Sequence, residues 1–316
     1  MSWSDKLELL LRNFETKPRI DGRCCKPFYI GDQQVGVIRP DIWQHLSKYP
    51  QIFHYNQASD SVTLNPNWRT YDERSTKLDL VLQEIRKQNI FKTLAGWRDE
   101  CYDVSAKFGD PALMKIERSA TFQSCGVSGG FTVGMTVLEC VRKEAQEEAS
   151  LPDALLDRMR SCGTVSGGFT VGMTVLECVR KEAQEEASLP DALLDRMRSC
   201  GTVSFIYEDE RGILPETMFV FDLELPIDFQ PRNSDGEVES FHLLTVEETK
   251  QVVVTEDFKQ TSSLIVLDFL VRHGYLNADD EPNYTQLIEM IHRPLHHLYD
   301  QLLPSYKNSV TNDSNL

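Results

Sequence analysis

The sequence predicts an α+β protein of two domains, and three observations lead there. At 316 residues the chain is about twice the roughly 150 residues of an average domain. Short β-prone runs are interspersed with amphipathic helical stretches along its length. The third observation is a repeat: residues 127–166 return letter for letter at 165–204, a tandem copy with a period of 38 residues. Two units are too few to stack a solenoid core. Surface positions are free to drift, so such identity marks a recent duplication or a faulty gene model.

The first domain is read over 1–97. Leu7, Leu10, Leu11 and Phe14 recur at helical spacing, and Pro18 ends that helix. KPFYIGDQQVGVIRP reads as two short strands around a Gly-Asp turn, followed by a helix from Pro40 and Asp41 to Leu46. Residues 53–64 form a further hairpin with a polar turn at 56–61. A helix over 75–88 places Leu78, Leu82 and Ile85 on one face.

The second domain is read over 98–303. GWRDECYDV and MKIERSATF are its entering strands. After the repeats, residues 204–225 give a strand, a polar turn at 208–212 and a strand of strong β propensity. A loop over 226–236 leads to a short strand in ESFHLL and a helix that Thr245 caps, with Glu248 completing a capping box. Helices follow at 262–273 and 284–302, and 304–316 reads as a disordered tail.

Composition narrows the function classes. A formal net charge of -16 argues against a sequence-independent grip on nucleic acid, which needs a basic surface to displace counterions. No run approaches the ~18 apolar residues that span a bilayer, and the opening MSWSDKLELLLRNF lacks the features of a signal or transit peptide. The expectation is therefore a cytoplasmic protein with no nucleic-acid or membrane partner, its oligomeric state left open. Of eight cysteines, four are two positions counted twice, Cys140 with Cys178 and Cys162 with Cys200. The remaining Cys24, Cys25, Cys101 and Cys125 include no CxxC pair, so free thiols in a reducing compartment are expected.

The chemistry is concentrated in the repeat. In the first copy, 136–149 fits a helix with Val137, Val141, Ala145 and Ala149 on the face that packs on a sheet. Glu144, Glu147 and Glu148 stand at i, i+3 and i+4, which gathers their carboxylates into one patch. Like charges at that spacing repel by about 0.2 to 0.5 kcal/mol per pair, a cost that a hard cation reverses. Oxygen-only ligands suit Mg²⁺ or Mn²⁺, and magnesium is commonly shared with substrate phosphates. Metal-assisted attack of water on a diphosphate follows; a solvated acidic helix face is the competing reading of EAQEE taken alone.

The surrounding residues resemble the Nudix box: Gly, five residues, Glu, seven residues, then Arg-Glu-apolar-any-Glu-Glu-any-Gly-apolar. In the copy at 129–151, Gly129 is the leading glycine, Lys143 replaces the arginine, Glu144, Glu147 and Glu148 are the metal-site glutamates, and Leu151 closes the box. In the copy at 167–189, Gly167, Lys181, Glu182, Glu185, Glu186 and Leu189 take the same roles. Met135 and Met173 stand where the first glutamate belongs, and Ser150 and Ser188 replace the last glycine. FYIGDQQVGVIRP, the ERS at 73–75, GWRDECYDV, DGEVESFHLL and LDFLVRHGYL look like the Nudix branch related to the N-terminal part of fungal thiamine pyrophosphokinase. That branch commonly carries an apolar residue at the first Nudix glutamate.

The resemblance implies a Nudix α/β/α sandwich and a Mg²⁺-dependent hydrolase, acting on thiamine diphosphate or its damaged analogues and releasing a monophosphate. A ligand-binding or interaction module with impaired catalysis is the alternative. Family members place about forty residues of strands and a turn before the Nudix loop, where only 122–127 intervene here. The expectation is thus a shortened strand region that the helical repeat does not refill. The second copy runs directly into Ser204 and Phe205, so Glu182, Glu185 and Glu186 are favoured as the working set, with the first copy packed outside the sheet or mobile. Glu237 and Glu239 resemble a downstream acidic pair, balanced against a solvated turn. His292, His296 and His297 read as a helix face rather than ligands. Trp97 and Arg98 are substrate-contact candidates, with core packing preferred for Trp97.

Overall fold

The computed structural model describes residues 2–14, 25–106, 109–126, 133–138, 160–167, 171–209, 212–226, 228–232, 241 and 244–293. Helix α1 (Trp3–Arg12) opens with a capping box: the Ser2 hydroxyl accepts from the Asp5 amide, and the Asp5 carboxylate accepts from the Ser2 amide. Then come β1 (Lys26–Ile30), β2 (Gln33–Ile38), α2 (Pro40–Leu46), β3 (Phe53–Asn56), β4 (Ser61–Leu64) and α3 (Tyr71–Lys87). The β1–β2 turn passes through Gly31 at φ +64, a conformation that favours glycine. Helix α3 begins earlier than the apolar spacing suggests, because the Thr70 hydroxyl accepts from the Glu73 amide and caps it.

These elements build the first sheet, in the order β3-β4-β1-β2-β7, with β1 and β4 parallel and the other pairs antiparallel; β7 is Ser124–Gly126. Phe28, Ile30, Val35 and Ile38 from the β1–β2 hairpin pack with Leu78, Val81, Leu82 and Ile85 of α3. Strands β5 (Cys101–Val104) and β6 (Met114–Glu117) pair with each other. Their Val104, Met114 and Ile116 join this same first core. MKIERSATF divides: its first half is β6, while Arg118–Gln123 is a 3₁₀ helix rather than strand. The buried Glu117 carboxylate accepts from the Ser119 amide at 3.3 Å within that turn, a local bond a straight strand does not offer.

The second sheet has the order β10-β11-β8-β9-β12. Its strands are β8 (Val133–Leu138), β9 (Arg160–Gly167), β10 (Arg198–Asp209), β11 (Gly212–Leu223) and β12 (Leu244–Thr245). Between β9 and β10 lie α4 (Val175–Ala187) and the short α5 (Asp191–Leu194); after β12 come α6 (Val246–Val253), α7 (Gln260–Arg272) and α8 (Tyr284–Ile291). Period-two alternation on β11 divides its side chains between two layers. Met218 and Val220 pack with α1, α7 and α8 through Leu7, Leu11, Leu264, Leu267, Leu287 and Ile291. Phe219, Phe221 and Leu223 pack with α4 through Val179, Ala183 and Ala187. Helices therefore cover both faces of the sheet.

Three expectations meet a different outcome. The first copy contributes β8 and β9 to the middle of the second sheet, so at 133–138 and 160–167 it neither lies outside the sheet nor fails to refill it. The helix expected from Thr136 is accordingly a strand through Leu138, and 139–150 lie outside the described residues. Val133, Thr136 and Val137 are β-branched, and β11 and β9 supply a ladder on each side, which together outweigh the helical pattern downstream. The last helix ends at Ile291, where the Arg293 amide donates instead to Ser204 O and His292 bridges Ser204. Packing also crosses Trp97 in both directions: α1 belongs to the core of α7 and α8, and β5 and β6 belong to that of α3. The Trp3 indole donates to Lys250 O at 2.6 Å, and Ser4 donates to Glu281 at 2.7 Å. Among the described residues no helix is long and apolar enough to cross a membrane.

Candidate functional site

Helix α4 carries the second copy's glutamates. It starts at Thr174, whose hydroxyl accepts from the Glu177 amide at 3.3 Å while the Glu177 carboxylate accepts from the Thr174 amide at 2.7 Å. The sequence signal for this start is Thr-x-x-Glu at 174–177, a capping box not recognised above. The apolar face, Val179, Ala183 and Ala187, is buried against β11. Glu182, Glu185 and Glu186 lie on the same helix at i, i+3 and i+4.

The far end explains the last position of the box. Ser188 adopts φ 52 and ψ 38, the left-handed conformation at which helices are most often closed by glycine. A side chain there is strained, but this one forms a compensating bond: the Ser188 hydroxyl donates to Arg232 O at 2.7 Å, and the Arg232 amide donates to Ala187 O at 3.2 Å. Leu189, almost fully buried, then turns into the α4–β11 core with Leu194 and Leu223. Truncating Leu189 to alanine removes contacts worth about 2 to 5 kcal/mol.

Charge is unevenly tolerated in this patch. The Glu182 side chain is 18% exposed and lies 3.6 Å from Lys181 Nζ, which also reaches Glu185 at 3.2 Å. Burial pushes the Glu182 carboxyl above its ordinary value of 4.5; Lys181 opposes this, while Glu185 and Glu100 push further upward. Glu100 comes from the segment just before β5 and is 18 residues from its ion-pair partner Arg118, at 2.8 Å. The Arg118 guanidinium stands 5.8 Å from the Tyr102 ring centroid, and burial moves the Tyr102 hydroxyl up while Arg118 moves it down. Glu100, Tyr102 and Arg118 escaped the sequence reading. The signal available was GWRDECYDV, whose alternation marks a strand but does not show which acid pairs with Arg118.

The other candidates are dispersed. Gly167 ends β9, opposite Val133 of β8. Trp97 packs against the first core, its indole donating to Asp99 at 2.8 Å and its ring lying 5.1 Å from the Arg86 guanidinium. The Arg98 amide donates to the buried Glu117. Gly129, Glu144, Glu147, Glu148, Glu237, Glu239, His296 and His297 lie outside the described residues. Cys101 and Cys200 are free thiols. Among the described residues no three His, Cys, Asp or Glu side chains converge closely enough to enclose a metal ion. The donor chemistry of α4 nevertheless fits a hard cation: the acceptors are all oxygens, and the half-buried Glu182 has an unfavourable charge that a cation would offset.

Relatives place this arrangement in a family. The chain is 34% identical over 300 residues to Nudix hydrolase 24, chloroplastic, of Arabidopsis thaliana, covering 83% of this chain and 71% of that protein. The chain belongs to the Nudix hydrolase family. Nudix hydrolase 20, chloroplastic, from the same plant is 31% identical over 299 residues, covering 80% of this chain and 69% of its own length. An uncharacterized protein of Saccharomyces cerevisiae is 30% identical, over 71% of this chain and 69% of that one. Residues 8–127 match a family model described as a domain of unknown function, DUF4743. A solved structure of the Caenorhabditis elegans Ap4A hydrolase aligns with 46% of this Nudix hydrolase and 98% of itself, with 12% identity and a TM-score of 0.30. That structural likeness carries no weight beside the sequence relatives.

Proposed function

We propose that this Nudix hydrolase cleaves a diphosphate with the help of Mg²⁺ or Mn²⁺ held by Glu182, Glu185 and Glu186. The observation that carries the reading is the placement of Glu182, Glu185 and Glu186 at i, i+3 and i+4 on α4, with the Glu182 side chain only 18% exposed. A site built this way favours a cation. When bound, the ion orients the phosphates and screens the charge that develops as the bridging P–O bond breaks. The α4 carboxylates would hold it in place, and one of the three would instead serve as the base that takes the proton from the attacking water. Lys181 must swing away from Glu182 and Glu185 for the oxygens to be shared.

The substrate we propose is thiamine diphosphate or a damaged analogue, released as the monophosphate. The support is the resemblance of the dispersed motifs FYIGDQQVGVIRP, GWRDECYDV and LDFLVRHGYL to the thiamine-related Nudix branch. The division into domains over 1–97 and 98–303 belongs to the same proposal, with α1 reaching across it. Lys181, seated between two of the glutamates, favours the second reading, a binding module with impaired turnover. The purified chain with Mg²⁺ should release monophosphate from thiamine diphosphate, its oxidised form or a member of a nucleotide-sugar panel, and lose that activity in EDTA. No release from any of them, alongside tight metal-independent binding, would replace the hydrolase by the binding module.

A further inference from the structure

The acidic face of α4 poses an electrostatic problem for an anionic substrate. A diphosphate approaching Glu182, Glu185 and Glu186 meets like charge, and Lys181 is engaged by two of those carboxylates. Arg180 points its guanidinium elsewhere, to Asp191 and Asp195, each at 2.8 Å. Among the described residues, Arg118 is a cation with donors to spare. It opens the 3₁₀ helix Arg118–Gln123, which packs on β11, the strand whose other residues hold α4.

Its geometry is fixed at one end and open at the other. The Arg118 amide donates to Glu100 O at 2.8 Å, and Nη1 donates to Glu100 Oε2 at 2.8 Å. The side chain is 38% exposed, and among the described residues Nε and Nη2 have no protein acceptor. In the same turn the buried Ser119 hydroxyl has no hydrogen-bond partner among the described residues. The 3₁₀ turn that carries Arg118 and the box helix both pack on β11, so the guanidinium and the acidic helix share that strand as their support.

We propose that Arg118 is a substrate-binding residue of the Nudix site, receiving non-bridging oxygens of the diphosphate through Nε and Nη2 while Glu100 holds Nη1. This rests on the box-helix reading above and names the residue that balances its charge. A guanidinium suits the task because two parallel N–H donors match two phosphate oxygens, which a lysine ammonium does not reproduce. The assignment also gives the region matched by the domain of unknown function a part in the site, since Arg118 and Glu100 both lie within 8–127.

The test is calorimetric titration of methylenediphosphonate, which is not hydrolysed, into the full chain with Mg²⁺. Arg118→Ala is expected to weaken binding by about tenfold or more, and Arg118→Lys, which keeps the charge and the pairing with Glu100, by about threefold. Titration of Mn²⁺ alone should be unchanged by either variant and weakened by Glu182→Gln. In turnover, Arg118→Ala should raise KM at least as much as it lowers kcat. Binding of the diphosphonate within twofold of wild type, in whichever Arg118 variant melts like the wild type, overturns the assignment. A wild type that binds the diphosphonate through Arg118 without hydrolysing anything removes the hydrolase reading and leaves this one standing. A wild type that hydrolyses while both variants bind normally does the reverse.

Discussion

The two copies of the repeat have one sequence and two structures. RSCGTVS is a strand both times, in β9 and in β10. VGMTVL is not: at 133–138 it is β8, laddered to β11 on one side and β9 on the other, whereas at 171–176 it makes a turn through Gly172, the cap at Thr174 and the start of α4. The hexapeptide and the glutamate that follows it carry both instructions, three β-branched residues for a strand and a threonine three positions before that glutamate for a helix start. Context selects between them. Both copies meet on β11, where Phe219 is flanked by Thr202 of β10 and Val133 of β8.

The difference can be broken most severely through activity. Glu186→Gln should lower hydrolysis by about 100- to 1000-fold, the loss expected for a metal-holding or proton-accepting carboxylate. Glu148→Gln, the same change in the other copy, should leave the rate within about twofold of wild type. The reverse pattern in a monophosphate-release assay would transfer the site to the first copy.

Proline gives a stability test of the same contrast. Val175 is the first residue of α4, and Thr174 before it is extended at φ -75 and ψ 163, so both positions accept a following proline ring. Val137 pairs with Leu223 inside the sheet. Chemical denaturation should show Val137→Pro costing about 3 kcal/mol or more and Val175→Pro about 1 kcal/mol or less. Equal costs would mean that the copies do not differ in this way.

At the other end of the box, Ser188→Ala loses the bond to Arg232 but keeps the left-handed strain, a destabilisation of about 1 kcal/mol. Ser188→Gly loses the bond and relieves the strain, so its melting point should stay near wild type. Ser150 substitutions provide the comparison in the first copy.

The smallest effect is linked to pH. Glu182 is raised in the folded chain, chiefly by burial, so its ionised form is penalised on folding. That penalty is absent below the unfolded value and grows as pH rises through the folded one. Without divalent ions, Glu182→Gln should therefore melt about 1 to 2 °C above wild type at pH 7 and with it below pH 4. Mg²⁺ should raise the wild-type melting point and not that of the variant. A Glu144→Gln chain showing the same behaviour would erase the distinction between the copies.

Local chemistry was legible in the sequence where it was self-contained. The hairpin at 53–64 forms as β3 and β4, the capping box at Thr245 is present with Glu248, and the two strands expected within 204–225 form as β10 and β11. Distant pairing was not legible. Nothing in the spacing of Leu7, Leu10 and Leu11 says that their partners are Leu264 and Leu287, and nothing in GWRDECYDV says that Glu100 will hold Arg118. The first copy differs for another reason: the apolar spacing over 136–149 reads as a helix, while the hydrogen-bonding edges of β11 and β9 that draw 133–138 into a sheet are invisible in the sequence.

A last consequence concerns a shorter form of this protein. Because the units are identical, cutting out either period of 38 residues yields the same polypeptide. In that product a single VGMTVL would have to serve as β8 or as the entrance to α4, never both. Choosing the helix would leave one side of β11 without its present neighbour, and choosing the strand would leave the glutamates without their helix start. The doubled gene segment thus relieves a contest between architecture and chemistry that a single copy must resolve by other means.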